Sequence, residues 1–322
     1  MKLVHFCFTE NVLVNMMGLR ATQQRIQEKT NSLLCCHTLY IIVLTSIKTY
    51  HFRFLFRNEQ KIGKKDMNPK ISIIGTGNWG KILTQKFHQL GGLHRVYGHR
   101  NREVLEPLRL RFTEDIDALI EESDAVVVAT PSETHAEFAY RVLSAKKDLF
   151  LEKPIALSSA EAADLAELAD TLNRIFMVGH TLCYSTGFQR LNALPGDPVA
   201  ADAIFLKTST EEQYLNAYWN FGIHMVALAV ALNVPPGQFT LEASDQAPLN
   251  QRTFASRTQS EDGNPHSLAW DFLAPENQED MLMVECQHFV DCLNQRQKPR
   301  TDAWQGVQTI QALEDIHPEH RK

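Results

Sequence analysis

The sequence has little from which to build a metal centre or a disulfide framework. Its six cysteines, Cys7, Cys35, Cys36, Cys183, Cys286 and Cys292, form no C-x-x-C pair and stand at no zinc-type Cys/His spacing. They read as buried or incidental thiols in a reducing compartment, and no metal site is expected. A membrane-spanning run is also missing. The apolar stretch from Leu33 to Ile47 is broken by His37 and is shorter than the roughly 20 residues a bilayer requires. It begins too far into the chain for an ordinary signal peptide. A cytoplasmic protein without stable membrane association is therefore expected, with tethering through residues 33–47 as the alternative. Basic charge is scarce outside the N-terminal segment. Residues 1–66 carry ten Lys/Arg against four Asp/Glu, which leaves 22 against 34 in residues 67–322. So acidic a main body disfavours a nucleic-acid partner, because phosphate contact needs a basic surface.

What is present describes a globular α/β chain long enough, at 322 residues, for two domains. Residues 1–66 differ from the rest in charge and hold half of the cysteines, and Met67-Asn-Pro-Lys leads straight into an apolar strand. We therefore read residues 1–66 as a poorly ordered, non-core extension.

Lys70-Ile-Ser-Ile-Ile-Gly75-Thr-Gly77-Asn-Trp-Gly80 runs from a short strand into a G-x-G-x-x-G turn and then an amphipathic helix. Gly75 permits the tight turn, Gly77 lets backbone N–H groups approach a pyrophosphate, and Gly80 allows close helix–strand packing. The helix N-terminus favours the anion, so the whole turn, with Thr76, Asn78 and Trp79, is an expected dinucleotide contact. A glycine-rich βα turn with no ligand is the plainer alternative. Trp79, Ile82, Leu83, Phe87 and Leu90 recur at helical spacing, and Gly91-Gly92 ends the helix.

Strands are then expected at Arg95–Gly98, Asp124–Thr130, Asp148–Leu151 and Ile175–Val178. Helices are expected at about 115–122, 132–146 and 159–172, the last opened by a Ser158/Glu161 capping box. Apolar strands alternating with helices imply a doubly wound parallel sheet over residues 67–182, with ligands at the carboxyl ends of the strands. The end of the second strand, Gly98-His99-Arg100-Asn101-Arg102, lacks the acid that accepts from an NAD ribose. Arginine there can pair with a 2′-phosphate, which favours NADP over NAD through Arg100, although Arg100 and Arg102 also read as solvated loop charges.

Glu152-Lys153-Pro154 follows a strand, and it joins the glycine turn, Ala129-Thr130-Pro131, Ser132-Glu-Thr-His135 and Val178-Gly179-His180 in order. As a combination these motifs resemble the Gfo/Idh/MocA oxidoreductase family over most of residues 69–182. The resemblance implies a Rossmann domain followed by a smaller α/β domain, residues 183–322, with a largely antiparallel sheet that forms the usual homo-oligomer interface. It implies cofactor contacts at Thr130, Pro131, His135, Glu152 and Lys153, with Lys153 beside both nicotinamide and substrate. Independently, the proline after Lys153 keeps its backbone extended, so its ammonium can reach into a cleft and stabilise a developing alkoxide.

Trp219-Asn220-Phe-Gly222-Ile-His224 places Asn220 and His224 four residues apart at a helix start. Histidine's ordinary pKa suits it to accept a hydroxyl proton, and the family commonly has an Asp or Asn, then Gly, then His in this arrangement. A satisfied core histidine is the alternative reading of His224. Asn220 stands where an Asp is usual, as in some nucleotide-sugar dehydrogenases of the family, and Ala227 stands where an acid is often found. Tyr184 is a further candidate for the substrate cleft. Strands of the second domain are expected near 200–209, 238–243 and 267–273. A helix follows over 280–294, and a closing helix over 301–316 is expected to pack back on the first domain. The resemblance thus implies NAD(P)-dependent hydride transfer to or from a sugar, cyclitol or nucleotide-sugar. A non-catalytic dinucleotide-binding sensor and a reductase of a non-sugar carbonyl or imine are the alternatives.

Overall fold

Ile71–Ile74 (β1) has all four side chains buried, as a strand covered on both faces requires. It leads the first sheet of a computed structural model that describes residues 69–208, 217–244, 246–277 and 279–316. The N-terminal extension and the run at 33–47 lie outside the described residues. After β1 come α1 (Gly80–Gln89), β2 (Leu93–Tyr97), a single turn α2 (Arg102–Leu105), α3 (Ile116–Glu121) and β3 (Ala125–Val128). The segment continues through α4 (His135–Ser144), β4 (Asp148–Glu152), α5 (Ser159–Thr171) and β5 (Phe176–Gly179). Side-chain caps fix the helix starts. Asp115 accepts from the Ala118 N–H at 2.9 Å, and Ser158 accepts from the Glu161 N–H at 3.2 Å.

The strands form a parallel sheet in the order β2-β1-β3-β4-β5, with Ile71 opposite both Leu93 and Ala125, and Leu149 opposite Phe176. The order reverses between β1 and β3, which places the switch point, where such sheets bind ligands, beside the glycine turn.

The chain then forms α6 (Thr186–Asn192) and the long strand β6 (Asp197–Thr208), followed by a π-turn over Tyr218–Gly222 that runs into α7 (Ile223–Ala231). Strands β7 (Phe239–Ser244), β8 (Gln246–Gln259) and β9 (Pro265–Asp271) complete a second sheet ordered β7-β6-β8-β9. Its β6–β8 and β8–β9 pairs are antiparallel and its β6–β7 pair is parallel. The sequence reading missed β8 altogether. This 14-residue strand, central in the sheet, turns Phe254, Ser256 and Thr258 inward, so it carries no apolar alternation to detect.

Helices α8 (Met281–Gln295) and α9 (Ala303–Ile316) end the described chain. Phe87 of α1, Phe150 of β4 and Phe289 of α8 meet edge to face with ring centroids 5.6 to 6.2 Å apart, which locks the glycine-turn helix to the middle of the sheet. Helix α9 lies against α5, with Val307, Ile310 and Leu313 in the same apolar cluster as Leu149, Leu151 and Val178. None of the described helices is long and apolar enough to cross a membrane.

Candidate active site

The glycine turn is built from close approaches that a side chain would forbid. Gly75 has φ +104°, and a Cβ there would lie 2.4 Å from the Ala129 carbonyl oxygen, because the loops after β1 and β3 meet at the switch point. A Cβ on Gly80 would lie 2.2 Å from the Gly75 oxygen, whereas one on Gly77 would meet nothing within 4 Å. The space left at Gly77, at the mouth of α1, fits a pyrophosphate against helix N–H groups. Thr76 is buried and supports the turn from behind, donating to the Arg100 carbonyl at 2.6 Å. Asn101, in the left-handed region at φ 57°, donates from Nδ2 to the Thr76 carbonyl at 2.7 Å. Arg100 is exposed. The neighbouring Arg102 is occupied by an ion pair with Glu114 and donates from Nε to the Gly98 carbonyl at 2.7 Å.

Beyond the turn, a cleft of about 630 Å³ opens between the carboxyl ends of the parallel strands and the second sheet. It brings together Asn78, Trp79, Thr130, His135, Glu152, Lys153, Asn220 and His224, all expected from the sequence. Phe205, Lys207, Phe221 and Arg252 complete the wall facing them and were not anticipated.

Lys153 follows the last residue of β4 and reaches across the cleft. Its ammonium donates to the Asn220 carbonyl at 2.7 Å and to Asn220 Oδ1 at 3.3 Å. Asn220 sits in the π-turn, a local irregularity that recurs at functional sites. Burial pushes the ammonium down to about 8, with the nearby Glu152 charge opposing and Lys207 adding to the effect. Burial raises the Glu152 carboxyl to about 7 against the opposing pull of Lys153 and of the Trp79 indole, which hydrogen-bonds it. His224 is half-buried in the cleft wall, and its buried Nδ1 has no partner. Desolvation holds its pKa well below the ordinary imidazole value, reinforced by the Lys153, His180 and Arg252 charges. The ring is therefore neutral at pH 7 and can accept a proton.

Other expected residues support the site or lie away from it. His135 ties two loops together, with Nδ1 2.6 Å from the Pro154 carbonyl and Nε2 2.9 Å from the Thr130 carbonyl. Burial lowers its pKa, so the neutral ring can donate to only one of the two oxygens. Pro131 caps the short turn before α4 and is not among the residues lining the cleft. Tyr184 is not in the cleft either. Its short 3₁₀ turn, Thr181–Tyr184, carries the ring into the core, where the hydroxyl lies 2.9 Å from Thr301 Oγ1 and the Arg300 guanidinium sits 5.0 Å from the ring centre. Ala227 likewise faces the core, and its carbonyl accepts from Gln305 Nε2 at 3.1 Å. His180, which the sequence reading used only as a motif, is fully buried, and desolvation lowers its pKa to about 3. Among the described residues no cluster of His, Cys, Asp and Glu could hold a metal ion.

The fold is a doubly wound parallel sheet whose glycine turn lies at the switch point and opens into a cleft holding a half-buried lysine and a neutral histidine. Residues 70–180 match the Gfo/Idh/MocA model, described as an oxidoreductase family with an NAD-binding Rossmann fold. A UDP-N-acetylglucosamine 3-dehydrogenase of Acidithiobacillus ferrooxidans is 33% identical over 114 residues, 34% of this chain and 36% of that protein. An inositol 2-dehydrogenase of Paracoccus denitrificans is 28% identical over 164 residues, 46% of this chain and 49% of that protein. These alignments span less than half the length of either relative. A solved structure of the UDP-N-acetylglucosamine 3-dehydrogenase GnnA from Acidithiobacillus ferrooxidans superposes with a TM-score of 0.67 at 21% identity, covering 77% of this chain and 96% of that one. This likeness extends the common fold through both sheets.

Proposed function

We propose that the protein is an NAD(P)-dependent oxidoreductase that transfers a hydride between the nicotinamide and a secondary alcohol or ketone of a sugar, cyclitol or nucleotide-sugar. The observation that carries this reading is the placement of the Lys153 ammonium and the neutral His224 ring on one cleft that opens from the glycine turn. A bound nicotinamide supplies the hydride acceptor or donor. Lys153 orients the substrate oxygen and stabilises negative charge on it, and His224 takes the hydroxyl proton during oxidation or returns it during reduction. Asn220 holds the ammonium in place, while Phe205 and Phe221 keep bulk water off that wall. Hydride transfer on a panel of sugars, cyclitols and nucleotide-sugars, followed at the nicotinamide absorbance band, tests the reading. Tight cofactor binding with no turnover anywhere on the panel would instead indicate a sensor.

The cofactor preference belongs to the same proposal. Arg100 is exposed at the end of β2, and no ion-pair partner for it is found among the described residues. NADPH is expected to bind roughly tenfold more tightly than NADH, about 1.4 kcal/mol, and Arg100→Ala is expected to erase the difference. Equal or stronger thermal stabilisation by NADH would remove this assignment. A homo-oligomer assembled through the second sheet, in the cytoplasm, accompanies this reading, and sedimentation of the purified chain tests the assembly.

A further inference from the structure

The second sheet changes character along its inward face. Paired across β6 and β8, the face begins with Ala201 opposite Ser256 and Ala203 opposite Phe254, all buried. One step further the pair is Phe205 with Arg252, and Lys207 follows Phe205 on the same side of β6. A sheet face turned toward protein ordinarily excludes such charges unless they are paired. These two cations stand at the cleft.

Neither has an ion-pair partner among the described residues. Several other cations have carboxylates: Arg296 and Arg174 share Asp148, Arg95 has Glu122, and Arg257 on β8 itself has Asp202. For Lys207 and Arg252 no carboxylate lies within ion-pair distance among the described residues, and Arg252 Nε is buried without a hydrogen-bond partner. Aromatic rings hold them instead. The Arg252 guanidinium is 4.7 Å from the Phe205 ring centre and the Lys207 ammonium 4.5 Å from that of Phe221. The two rings stack at 5.6 Å with their planes 10° apart, and Phe205 also lies 6.1 Å from the His224 ring. The shelf thus carries an unused donor fork and an ammonium next to the histidine of the proposed chemistry. Glu152, the carboxylate in the cleft, is engaged by the Trp79 indole.

We propose that Lys207 and Arg252 form an anion subsite, so that the substrate is a sugar bearing a phosphoryl or carboxylate group that this pair receives while its reacting hydroxyl lies at Lys153 and His224. The proposal rests on the reading of the cleft as a sugar oxidoreductase site and narrows its substrate class. An arginine fork accepts either anion in bidentate fashion, and partial desolvation strengthens the contact.

The test uses the full chain saturated with NADH, whose binding is confirmed first by nicotinamide fluorescence. Glucose 6-phosphate, glucuronate and glucose are then titrated by calorimetry. At least one charged sugar is expected to bind tenfold or more tightly than glucose, and which of the two does so identifies the anion. Arg252→Met and Lys207→Met are each expected to lose tenfold or more on the charged sugar while NADH affinity holds, which also shows that the variants fold. Glucose binding as tightly as both charged sugars, neither charged sugar binding, or variants that keep the charged-sugar advantage would overturn the subsite. If the NADH-loaded protein turns over neutral sugars without charge preference, the oxidoreductase reading survives and only the subsite falls. Failure of NADH and NADPH to bind would remove both.

Discussion

Lys153→Met is expected to reduce turnover by about 10³-fold while leaving the fold no less stable than before. The loss follows from removing a preorganised donor aimed at a developing oxyanion, for which such substitutions cost about 10²–10³-fold. The stability follows from the charge. Burial brings the ammonium from 10.5 down to about 8, so holding it protonated costs the folded state on the order of 3 kcal/mol at neutral pH. Methionine has a similar length and no charge to bury. The sign for pH runs the same way: the cost is fully present below about 8 and disappears as pH rises toward the unfolded value near 10.5. Activity runs opposite, because the protonated amine is the useful form, and is expected to fall as pH rises through about 8. Steady-state rates from pH 6 to 10 with a urea unfolding curve for each variant check both halves. A Met variant that keeps its rate, or an alkaline limb absent from the native enzyme, would remove Lys153 from the chemistry.

The opposite end of the same strand gives the largest expected effect on stability. Asp148 opens β4 and is buried, pairing with the Arg296 guanidinium and lying 3.9 Å from that of Arg174. Its Oδ1 also accepts from the Ile175 N–H at 2.9 Å, closing the gap between β4 and β5. Asp148→Ala therefore strands two cations and a backbone donor together. Breaking a buried pair costs about 3–5 kcal/mol, but both arginines keep some contact with water, so a loss of about 3 kcal/mol is expected. Asp148→Asn keeps the acceptor for Ile175 and is expected to recover about 1 kcal/mol of that. Urea midpoints measure the difference, and the rate per folded molecule should stay unchanged because the cleft lies at the other end of the sheet. An Ala variant within 1 kcal/mol of the native protein would show that the cluster is held by packing alone.

The residues legible in the sequence were those whose role depends on near neighbours. Gly75 and Gly80 are demanded by approaches within one βα turn, and Lys153 by its place between a strand and a proline, so spacing along the chain reported them. Asn220 and His224 were visible because four residues on a helical path bring them to one side. Arg252 and Lys207 were not, since their position depends on the register of β6 with β8, and β8 presents serine and threonine to the interior. Tyr184 was misplaced for a related reason: its direction is decided by Thr301 and Arg300, more than a hundred residues further on. Local pattern reports a turn well and a pairing between distant strands poorly.

The contacts of α9 bear on the order in which the molecule can be completed during synthesis. Thr301 accepts at its carbonyl from the Val178 N–H at 2.8 Å and donates from Oγ1 to the Val178 carbonyl at 2.7 Å, Asp302 bridges Met177, and Glu314 Oε2 receives the Ser159 hydroxyl at 2.6 Å. The outer edge of β5 and one flank of α5 are thus finished by residues translated more than a hundred positions later. A nascent chain halted after residue 182 would expose that edge and the apolar bed of Val307, Ile310 and Leu313. The half that carries the glycine turn is therefore the first part of the described chain to emerge from the ribosome and among the last to close.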